Sequence, residues 1–300
     1  MKIAITGATG LVGSALIPVL QQAGHEVIPI SRSPGDNRVV WDPDSGQLDA
    51  AALSGIDAAV HLAGEPLLGR WSSEKKTAIK ESREKGTRLL AETLAKLEPR
   101  PRVLVSASGM SFYGIKRSHP VDESDEASLD GFLPEVTQLW EAATAPAREA
   151  GIRVVCVRIS VVLSPEGGML KMLLPQFKAG LGGPVGSGKM RISWISRHDL
   201  ARVFRFAIEN EEISGPLNAA APEVLTNKEF AETLGHVLHR PAVMPAPALA
   251  VKAAFGQMAR ETVFADLAMK PAKLHAAGFA FDHPDAMTAL QAELQEAEEG

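Results

Sequence analysis

Cysteine and tyrosine are almost absent from this chain, which contains one of each in 300 residues, Cys156 and Tyr113. A single cysteine cannot form a disulfide within the chain, and Cys156 lies in the apolar run of residues 154–157. We therefore predict that Cys156 is a small core residue in a reducing compartment, not a catalytic thiol. The single tyrosine restricts any chemistry that needs a phenol to one position.

The sequence also lacks long apolar runs and clusters of positive charge. No apolar run reaches the roughly 18 residues that a membrane span needs. Met1 and Lys2 lead directly into a short strand, and not into a signal-peptide core with a cleavage site. The net charge of −5 and the lack of a basic run give no support for nucleic-acid binding. We therefore expect a cytoplasmic monomer or homodimer with a small-molecule substrate and no nucleic-acid or membrane partner.

The first fifteen residues contain the strongest functional signal. Residues 3–5 predict an apolar strand, and Gly7, Gly10 and Gly13 connect it to an amphipathic helix that begins near Leu11. Gly7 allows a tight turn, Gly10 lets the backbone approach a pyrophosphate, and Gly13 lets the helix pack closely on the sheet. The free N–H groups and the positive dipole end of the helix then face the anion. This arrangement predicts a bound dinucleotide.

The end of the second predicted strand, residues 26–30, bears on the choice of dinucleotide. A site for NAD(H) usually has an acidic residue here, about 20 residues beyond the glycines, to bind the ribose 2′-hydroxyl. Residues 30–33 contain no carboxylate and instead include Ser31, Arg32 and Ser33. A guanidinium and two hydroxyls suit a 2′-phosphate, which favours NADP(H) over NAD(H). The alternative is that Arg32 is a solvated surface side chain.

Strands and helices alternate through about the first 160 residues, which predicts a doubly wound parallel α/β sheet of the Rossmann type. One long helix is expected after Ser72, and a second over about residues 134–150 despite Pro146. The dinucleotide-binding domain is predicted to comprise residues 1–165, with a contribution from about 193–212.

Residues 166–300 are predicted to form a smaller, mostly helical lobe on the substrate side. Its last part, about 245–297, reads as a distinct segment of short helices. Thr226 and Glu229 are spaced as a capping box at the start of a helix. The acidic tail from Glu293 is expected to fray.

Two further patterns predict no site. Residues 183–189 have the spacing of a phosphate loop, but Met190 replaces the required Ser or Thr and a strand follows, which excludes an ATPase or GTPase of that kind. His236 and His239 have no Cys or carboxylate companion pattern, and His198 with Asp199 reads as a helix start. No metal site is predicted.

Several motifs together resemble the extended short-chain dehydrogenase/reductase family, also described as NAD-dependent epimerases/dehydratases. They occur in the order Thr6–Gly13, His61–Gly64, Gly86–Leu90, Ser106–Ser108 with Tyr113-Gly114, Arg158, and His198–Leu200. Residues Trp41-Asp42, Gly64–Leu67, Trp140-Glu141, Gly182–Gly188 and Ser193–Ile195 are similar to a subgroup of uncharacterised epimerase family proteins with a distinct C-terminal domain.

The resemblance implies a dinucleotide bound across the strand ends and a substrate held by the C-terminal lobe. It implies a nucleoside-sugar or small-carbonyl epimerase or oxidoreductase. Together with the motifs above, it predicts that the cofactor contacts Gly7, Thr9, Gly10, Leu11, Val12, Gly13, Ser31, Arg32, Trp41, Leu62, Ala63, Gly64, Glu65, Arg83, Ser106, Ala107 and Arg158. His61 lies in an apolar run and is expected to be buried rather than to act as a base.

The chain departs from the family where proton transfer usually occurs. The family uses a Tyr and a Lys four residues later on one helix face, because the ammonium lowers the pKa of the phenol. Here Leu133 and Thr137 stand at those positions, and Gly109 stands where a serine usually orients the substrate.

Two interpretations follow from this departure. In the first, the protein is an NADP(H)-dependent enzyme with another acid/base group. Ser108 and Tyr113 are the weak candidates for catalysis, and Glu65, Ser111 and Glu135 are near enough in the topology to be considered. In the second, the protein binds NADP(H) without turnover, as a sensor or regulatory module. For any single one of these polar residues, a capping or pocket-lining role is favoured over a catalytic one.

Overall fold

The computed structural model describes residues 1–35 and 37–299, with side chains described as far as residue 295. Its strands are β1 (Lys2–Thr6), β2 (Glu26–Ser31), β3 (Val39–Asp42), β4 (Gln47–Leu48), β5 (Ala58–His61), β6 (Val103–Gly109), β7 (Arg153–Ile159), β8 (Val161–Leu163), β9 (Arg191–Ser196), β10 (Gly215–Ala219) and β11 (Val224–Thr226). Its helices are α1 (Leu11–Gln22), α2 (Ser73–Ala95), α3 (Phe132–Ala142), α4 (Ala145–Glu149), α5 (Gly168–Lys178), α6 (Arg197–Glu209), α7 (Asn227–Val237), α8 (Ala248–Phe255), α9 (Gln257–Glu261), α10 (Ala272–Ala276) and α11 (Ala286–Glu299).

The central sheet has eight strands in the order β10-β7-β6-β5-β1-β2-β3-β4. All neighbouring pairs are parallel except β3 and β4, so the predicted doubly wound parallel sheet is confirmed. The chain leaves β1 through β2 and β3 on one side and returns at β5 on the other side. Because the direction of winding reverses there, the crevice at the carboxyl ends of β1 and β5 is the expected ligand site.

Both faces of the sheet are covered by helices, as a parallel sheet requires. Ile3 and Ile5 of β1 point into the core on the side of α1 and α6, whereas Ala4 lies in the core that includes Leu90 and Leu94 of α2. The alternation along one strand explains why the strands read as nearly continuous apolar runs. This two-sided burial fixes the carboxyl edge of the sheet, where the motif residues lie.

A second sheet of three strands, ordered β11-β9-β8, forms the centre of the smaller lobe. Its core contains Leu170 of α5, Trp194 of β9, Phe230 of α7 and Leu290 of α11. The sequence predicted β9, and the capping box of Thr226 with Glu229 is present at the start of α7. The strands β8 and β11 were not predicted, because each has only three residues.

Two sequence-based predictions about helices are wrong. The helix expected over residues 134–150 is two helices, because α3 ends at Ala142 and Pro146 lies in the first turn of α4, where its missing N–H costs no helical bond. The tail from Glu293 is not frayed at that residue. Glu293 is buried in α11, and its carboxylate accepts a hydrogen bond from the backbone N–H of His198.

Two expectations from composition can be compared with the structure. Cys156 is a buried, free thiol in β7, which confirms it as a core residue. Among the helices in the described part of the chain, none is long and apolar enough to cross a membrane. The cytoplasmic location remains a prediction.

A buried carboxylate attaches the C-terminal segment to the start of α3. Glu261 of α9 is 5% exposed, and its oxygens accept hydrogen bonds from the backbone N–H groups of Phe132 (3.2 Å) and Leu133 (2.7 Å). These groups are in the first turn of α3, which lacks a side-chain cap from its own N-cap residue, Gly131. A distant carboxylate therefore stabilises the start of α3 through hydrogen bonds and the helix dipole.

We predict that Glu261→Ala lowers the free energy of unfolding by about 1–3 kcal/mol, because it removes two charge-assisted hydrogen bonds from a buried helix end. Glu261→Gln should cost less, because it keeps an acceptor oxygen. Urea unfolding of the three proteins measures both effects. An alanine variant within about 0.5 kcal/mol of the wild type would show that this contact does not stabilise α3.

Candidate functional site

At two of the three glycine positions in the turn between β1 and α1, no residue larger than glycine fits. Gly7 has a φ of +69°, and a Cβ atom there would lie 2.8 Å from the backbone N of Ala63. A Cβ at Gly13 would lie 2.3 Å from the carbonyl oxygen of Gly7. At Gly10 the constraint is weaker, since the same oxygen would be 3.3 Å away, and both Thr9 and Gly10 are exposed. The turn is therefore packed on the protein side and open on the other.

The N-terminus of α1 lies at this open side. Gly10 is the N-cap residue and offers no side-chain cap, so the N–H groups of Leu11 and Val12 in the first turn have no intrahelical acceptor. The side chain of Leu11 also meets the smaller lobe, because a Cβ at Gly167 would be 3.1 Å from Leu11 Cδ1. The turn before α5 thus lies beside the same helix start. The free N–H groups at the N-terminus of α1 suit a bound anion.

Thr6 joins the carboxyl ends of β1 and β5. Its hydroxyl oxygen accepts hydrogen bonds from the N–H groups of Leu62 (3.1 Å) and Ala63 (3.2 Å), and it lies 2.8 Å from Nδ1 of His61. His61 is fully buried, as predicted. Burial and the nearby charge of Arg83 lower the pKa of His61 to about 3. The imidazole is therefore neutral at physiological pH and serves to fix the strand ends.

Arg83 of α2 lies directly behind the chain at Gly64. Its guanidinium donates hydrogen bonds to the carbonyl oxygens of Glu65 (3.0 Å) and Ile79 (3.2 Å), and a Cβ at Gly64 would lie 3.3 Å from its Cζ. Burial lowers the pKa of Arg83 to about 10, which still leaves the side chain charged at neutral pH. The carboxylate of Glu65 forms an ion pair with Lys75. The contacts with Arg83 and Lys75 therefore fix the positions of residues 64 and 65.

Residues 31–33 include the last residue of β2 and lie at the same edge of the sheet. Thr6 of β1 pairs with Ile30 of β2. Gly7 follows Thr6, and Ser31 and Arg32 follow Ile30, so the two chain segments leave the paired strands at the same level. The Ser31 hydroxyl accepts a hydrogen bond from the N–H of Ser33 (3.1 Å), and Arg32 is exposed. An exposed cation thus stands on the strand next to the glycine turn.

Three other residues of the predicted cofactor site are buried. Trp41 is 4% exposed, with its ring edge-on to His61 and in contact with the Gly86 position. Ser106 and Ala107 in β6 are 1% and 5% exposed. At these exposures Trp41 supports the strand ends from within the core. Direct contact of these three side chains with a cofactor remains a prediction.

A buried polar network crosses the carboxyl ends of β6, β7 and β10. The carboxylate of Glu141 accepts hydrogen bonds from Ser108 (2.7 Å) and, in a bidentate pair, from Arg158 (2.8 and 2.9 Å). Arg158 also donates to the hydroxyl of Tyr113 (2.9 Å), and Tyr113 donates to Asn218 (2.7 Å). The sequence indicated Ser108, Tyr113 and Arg158 as site residues but gave no role to Glu141 or Asn218. The only available signal for Glu141 was its place in the Trp140-Glu141 motif.

This network changes the interpretation of both weak catalytic candidates. Tyr113 has no exposed surface, and burial raises its pKa to about 12 even though Arg158 is adjacent. The phenol therefore stays protonated at neutral pH and is a poor base. Ser108 is 3% exposed and already donates its proton to Glu141. In this structure both side chains act as internal hydrogen-bond partners.

The structure brings together the three positions at which the family usually has its serine, tyrosine and lysine. A Cβ at Gly109 would lie 3.4 Å from Cγ2 of Thr137, and the Thr137 hydroxyl donates to the carbonyl oxygen of Leu133 (3.0 Å). Leu133 is 4% exposed and packs in an apolar cluster with Trp71 and Met258. None of the three positions carries a titratable side chain.

The remaining acid/base candidates are divided between the surface and the loop after β6. Glu135 is paired with Lys80 at 2.7 Å and is largely exposed. Ser111 lies in the short 3₁₀ turn at Met110–Tyr113, half-buried. No described contact joins either residue to the glycine turn, so a catalytic role for them stays a prediction.

One group of possible metal ligands occurs among the described residues. His198, Asp199 and Asp282 have ligand atoms within 4.8 Å of one another. Arg202 lies 2.7 Å from one oxygen of Asp199 and 3.2 Å from one of Asp282, and Asp199 also accepts backbone N–H bonds from Asp282 and His283. Both carboxylates already pair with Arg202, and Asp199 also accepts two backbone hydrogen bonds, so these contacts hold the C-terminal segment on α6.

Comparisons with known proteins agree with the motifs. A family model described as the NAD dependent epimerase/dehydratase family matches residues 3–220. A second one, described as a domain of unknown function (DUF1731), matches residues 246–293.

Relatives of this chain cover nearly its whole length. The epimerase family protein MT2273 of Mycobacterium tuberculosis is 40% identical over 284 residues, which covers 94% of this chain and 93% of the relative. The human epimerase family protein SDR39U1 is 36% identical over 294 residues, with coverage of 97% and 99%. A crystal structure of human SDR39U1 (isoform 2) with NADPH superposes with a TM-score of 0.92 at 34% identity, covering 98% of this chain and 99% of that one.

The environment of His61 predicts a pH-dependent stability. Its pKa is about 3 in the folded protein and about 6.5 when unfolded, so the unfolded state binds the extra proton between these values. Stability from this group is complete above pH 6.5 and is lost as the pH falls. Between pH 7 and pH 5, protonation of His61 in the unfolded state should lower the free energy of unfolding by about 2 kcal/mol.

The comparison of the wild type with His61→Asn isolates this effect, because all other titrating groups are shared. Unfolding free energies measured at pH 7 and pH 5 should fall more steeply in the wild type than in the variant. Equal slopes would contradict a buried, neutral His61.

Proposed function

The chain belongs to the NAD-dependent epimerase/dehydratase family, and we propose that it binds NADP(H) across the carboxyl ends of β1, β2 and β5. The observation that carries the proposal is the β1–α1 turn, which is closed to a Cβ at Gly7 and Gly13 and open at the exposed Gly10. The N–H groups at the start of α1 would bind the pyrophosphate, as such helix ends do. The NADPH in the structure of human SDR39U1 supports this proposal.

The preference for NADP(H) rests on Arg32 with Ser31 and Ser33. These residues follow β2 on the strand adjacent to β1, where the ribose of a dinucleotide lies in this type of fold. No carboxylate is available at residues 30–33 to bind a free 2′-hydroxyl. An exposed guanidinium beside two hydroxyls provides charge-assisted hydrogen bonds to a 2′-phosphate.

The cofactor would supply hydride transfer when bound, which makes an oxidoreductase or epimerase acting on a nucleoside sugar or a small carbonyl the first candidate. The chain must then move a proton at the substrate oxygen. Glu65 is the best-placed remaining carboxylate, since it adjoins Gly64 at the end of β5 and is held by Ser82 and Lys75. We infer that any acid/base chemistry in this site depends on a group other than Tyr113.

A second candidate function is an NADP(H) sensor or regulatory module without turnover. It is favoured by Gly109, Leu133 and Thr137, which lack titratable groups at the family's proton-transfer positions. It is also favoured by the burial of Tyr113 and Ser108 in a closed hydrogen-bond network. Both candidates require the same cofactor site.

Calorimetric titration with NADPH and NADH tests the cofactor proposal. We expect NADPH to bind at least about tenfold more tightly, because the 2′-phosphate gains charge-assisted hydrogen bonds. Arg32→Ala should weaken NADPH binding by about tenfold or more and leave NADH binding within about twofold. Arg88→Ala, which removes an exposed arginine from α2, is the matched control and should leave both affinities unchanged.

Equal binding of both nucleotides, or an Arg32→Ala variant that keeps the preference, would contradict the assignment of the 2′-phosphate. Failure of both nucleotides to bind would contradict the cofactor site itself and favour a structural role.

Two assays separate the candidates: NADPH oxidation with a panel of small aldehydes and ketones, and product analysis of UDP-glucose incubated with NADP+, since UDP-glucose has no carbonyl that NADPH could reduce and an epimerase returns the hydride. An enzyme should turn over at least one compound in these assays, and Glu65→Gln should reduce kcat by a larger factor than it weakens NADPH binding. Consumption that Glu65→Gln does not change would exclude Glu65 as the acid/base. A protein that binds NADPH, oxidises none with any carbonyl compound and leaves UDP-glucose unchanged in the presence of NADP+ is the result expected of a sensor.

A further inference from the structure

Two long segments of this acidic protein contain no acidic residue. Residues 167–198 and 233–260 include eight Lys or Arg and no Asp or Glu, whereas the whole chain has a net charge of −5. Such segregation gives the regions a positive potential against an otherwise negative background. It was not visible as a basic run, because the cations are spaced far apart along the chain.

The fold joins these two segments into one surface. The N–H of Met244 donates to the carbonyl oxygen of Gly182 (3.0 Å), and the N–H of Ala246 donates to that of Pro184 (2.8 Å). The guanidinium of Arg240 donates to the carbonyl oxygen of Lys178 at the end of α5 (3.1 Å). Residues 171–189 and 240–252 therefore lie side by side, and we call them the acid-free surface.

Large apolar side chains are exposed on this surface. Five of the eight exposed large hydrophobic residues in the described part of the chain belong to it: Met172 (40%), Leu181 (57%), Val243 (77%), Met244 (52%) and Leu249 (82%). The helix α8 is apolar at seven of its eight positions, and none of its residues is buried. Exposed apolar groups clustered in this way mark an interaction surface.

Exposed cations lie on the same two segments as these apolar groups. Lys171, Lys178, Lys189, Arg240 and Lys252 are all exposed. The internal cations of the same segments are already used, because Arg191 pairs with Asp266 and Arg197 pairs with Glu166. The nearby α7 contributes Glu232, which lies 3.7 Å from its own Lys228. Among the residues whose side chains the structure describes, no carboxylate lies within ion-pair distance of these five cations, although Lys252 also lies over the ring of Phe264.

We propose that the acid-free surface docks on an anionic lipid surface. Leu181, Val243 and Leu249 enter the boundary between headgroups and acyl chains, and the surrounding Lys and Arg side chains meet lipid phosphates. A lipid surface fits better than a protein groove-binder, because Val243 and Leu249 keep more than three-quarters of their surface free. Side chains that line a groove for a partner helix are half covered by its walls.

The proposal departs from the expectation that the chain has no membrane partner. That expectation rested on the lack of a long apolar run and does not concern a surface assembled from two segments. It is also independent of the proposed cofactor, since none of the predicted cofactor residues lies within residues 171–189 or 240–252.

Vesicle co-sedimentation of the full chain tests the proposal. We expect binding to phosphatidylcholine vesicles that contain phosphatidylglycerol to exceed binding to pure phosphatidylcholine by at least about tenfold, and to weaken at high salt, because screening reduces the attraction. The double variant Val243→Glu/Leu249→Glu should lose at least about tenfold of this binding, because each change puts a charge into the apolar boundary. Leu129→Glu is the matched control, because Leu129 is 87% exposed in an acidic loop elsewhere, and it should bind like the wild type.

A second variant, Lys178→Glu/Arg240→Glu, tests the cations without changing the apolar groups and should lose the preference for anionic vesicles. Thermal unfolding confirms that each variant is folded, whether or not NADPH binds. Equal binding to both vesicle types, no binding at all, or unchanged binding by the Val243/Leu249 variant would overturn the proposal. Self-association of the wild type in light scattering that this variant abolishes, without vesicle binding, would assign the surface to a protein contact instead.

Discussion

Close backbone approach at the β1–α1 turn is the constraint on which the rest of this site depends. The position of Gly13 brings the start of α1 against the carbonyl of Gly7, and Gly7 lies against the backbone of Leu62 and Ala63. Thr6 and neutral His61 hold these two strand ends together, and Arg83 supports the next residues from below. These contacts together position the N–H groups of α1 and the exposed Gly10 at the carboxyl ends of β1 and β5, where the direction of winding reverses. The features that favour a dinucleotide are therefore rigid and built into the core.

The two halves of the site differ in kind. On the cofactor side, Gly10 and the Arg32 guanidinium are exposed at the sheet edge. On the side of the family's usual proton transfer, the polar groups face inward, because Ser108, Glu141, Arg158 and Tyr113 satisfy one another and Leu133 lies in an apolar cluster. A buried, fully bonded network rigidifies the strand ends but has little freedom to exchange protons with a substrate. The proposed function is accordingly more specific about the cofactor than about the reaction.

Local sequence patterns predicted most of the strands and helices. They did not predict the contacts between residues far apart in the chain. The glycine triplet, the capping box at Thr226 and the apolar runs of the main strands are written in adjacent residues, and the structure contains all of them. The bond between Tyr113 and Asn218 spans 105 residues, and the one between Leu133 and Glu261 spans 128, so no spacing in the sequence indicates either. The three-residue strands were missed because so few residues carry no period. The break between α3 and α4 was missed although Pro146 signals a helix start there.

A crystal structure of the protein with NADPH tests the central claim most directly. The account predicts the pyrophosphate on the N–H groups at the start of α1 and the 2′-phosphate within about 3 Å of the Arg32 guanidinium, the distance of a charge-assisted hydrogen bond. It also predicts that Tyr113 remains bonded to Arg158 and Asn218, away from the nicotinamide. A 2′-phosphate directed into solvent with Arg32 turned away, or Tyr113 in contact with the nicotinamide ring, would contradict it.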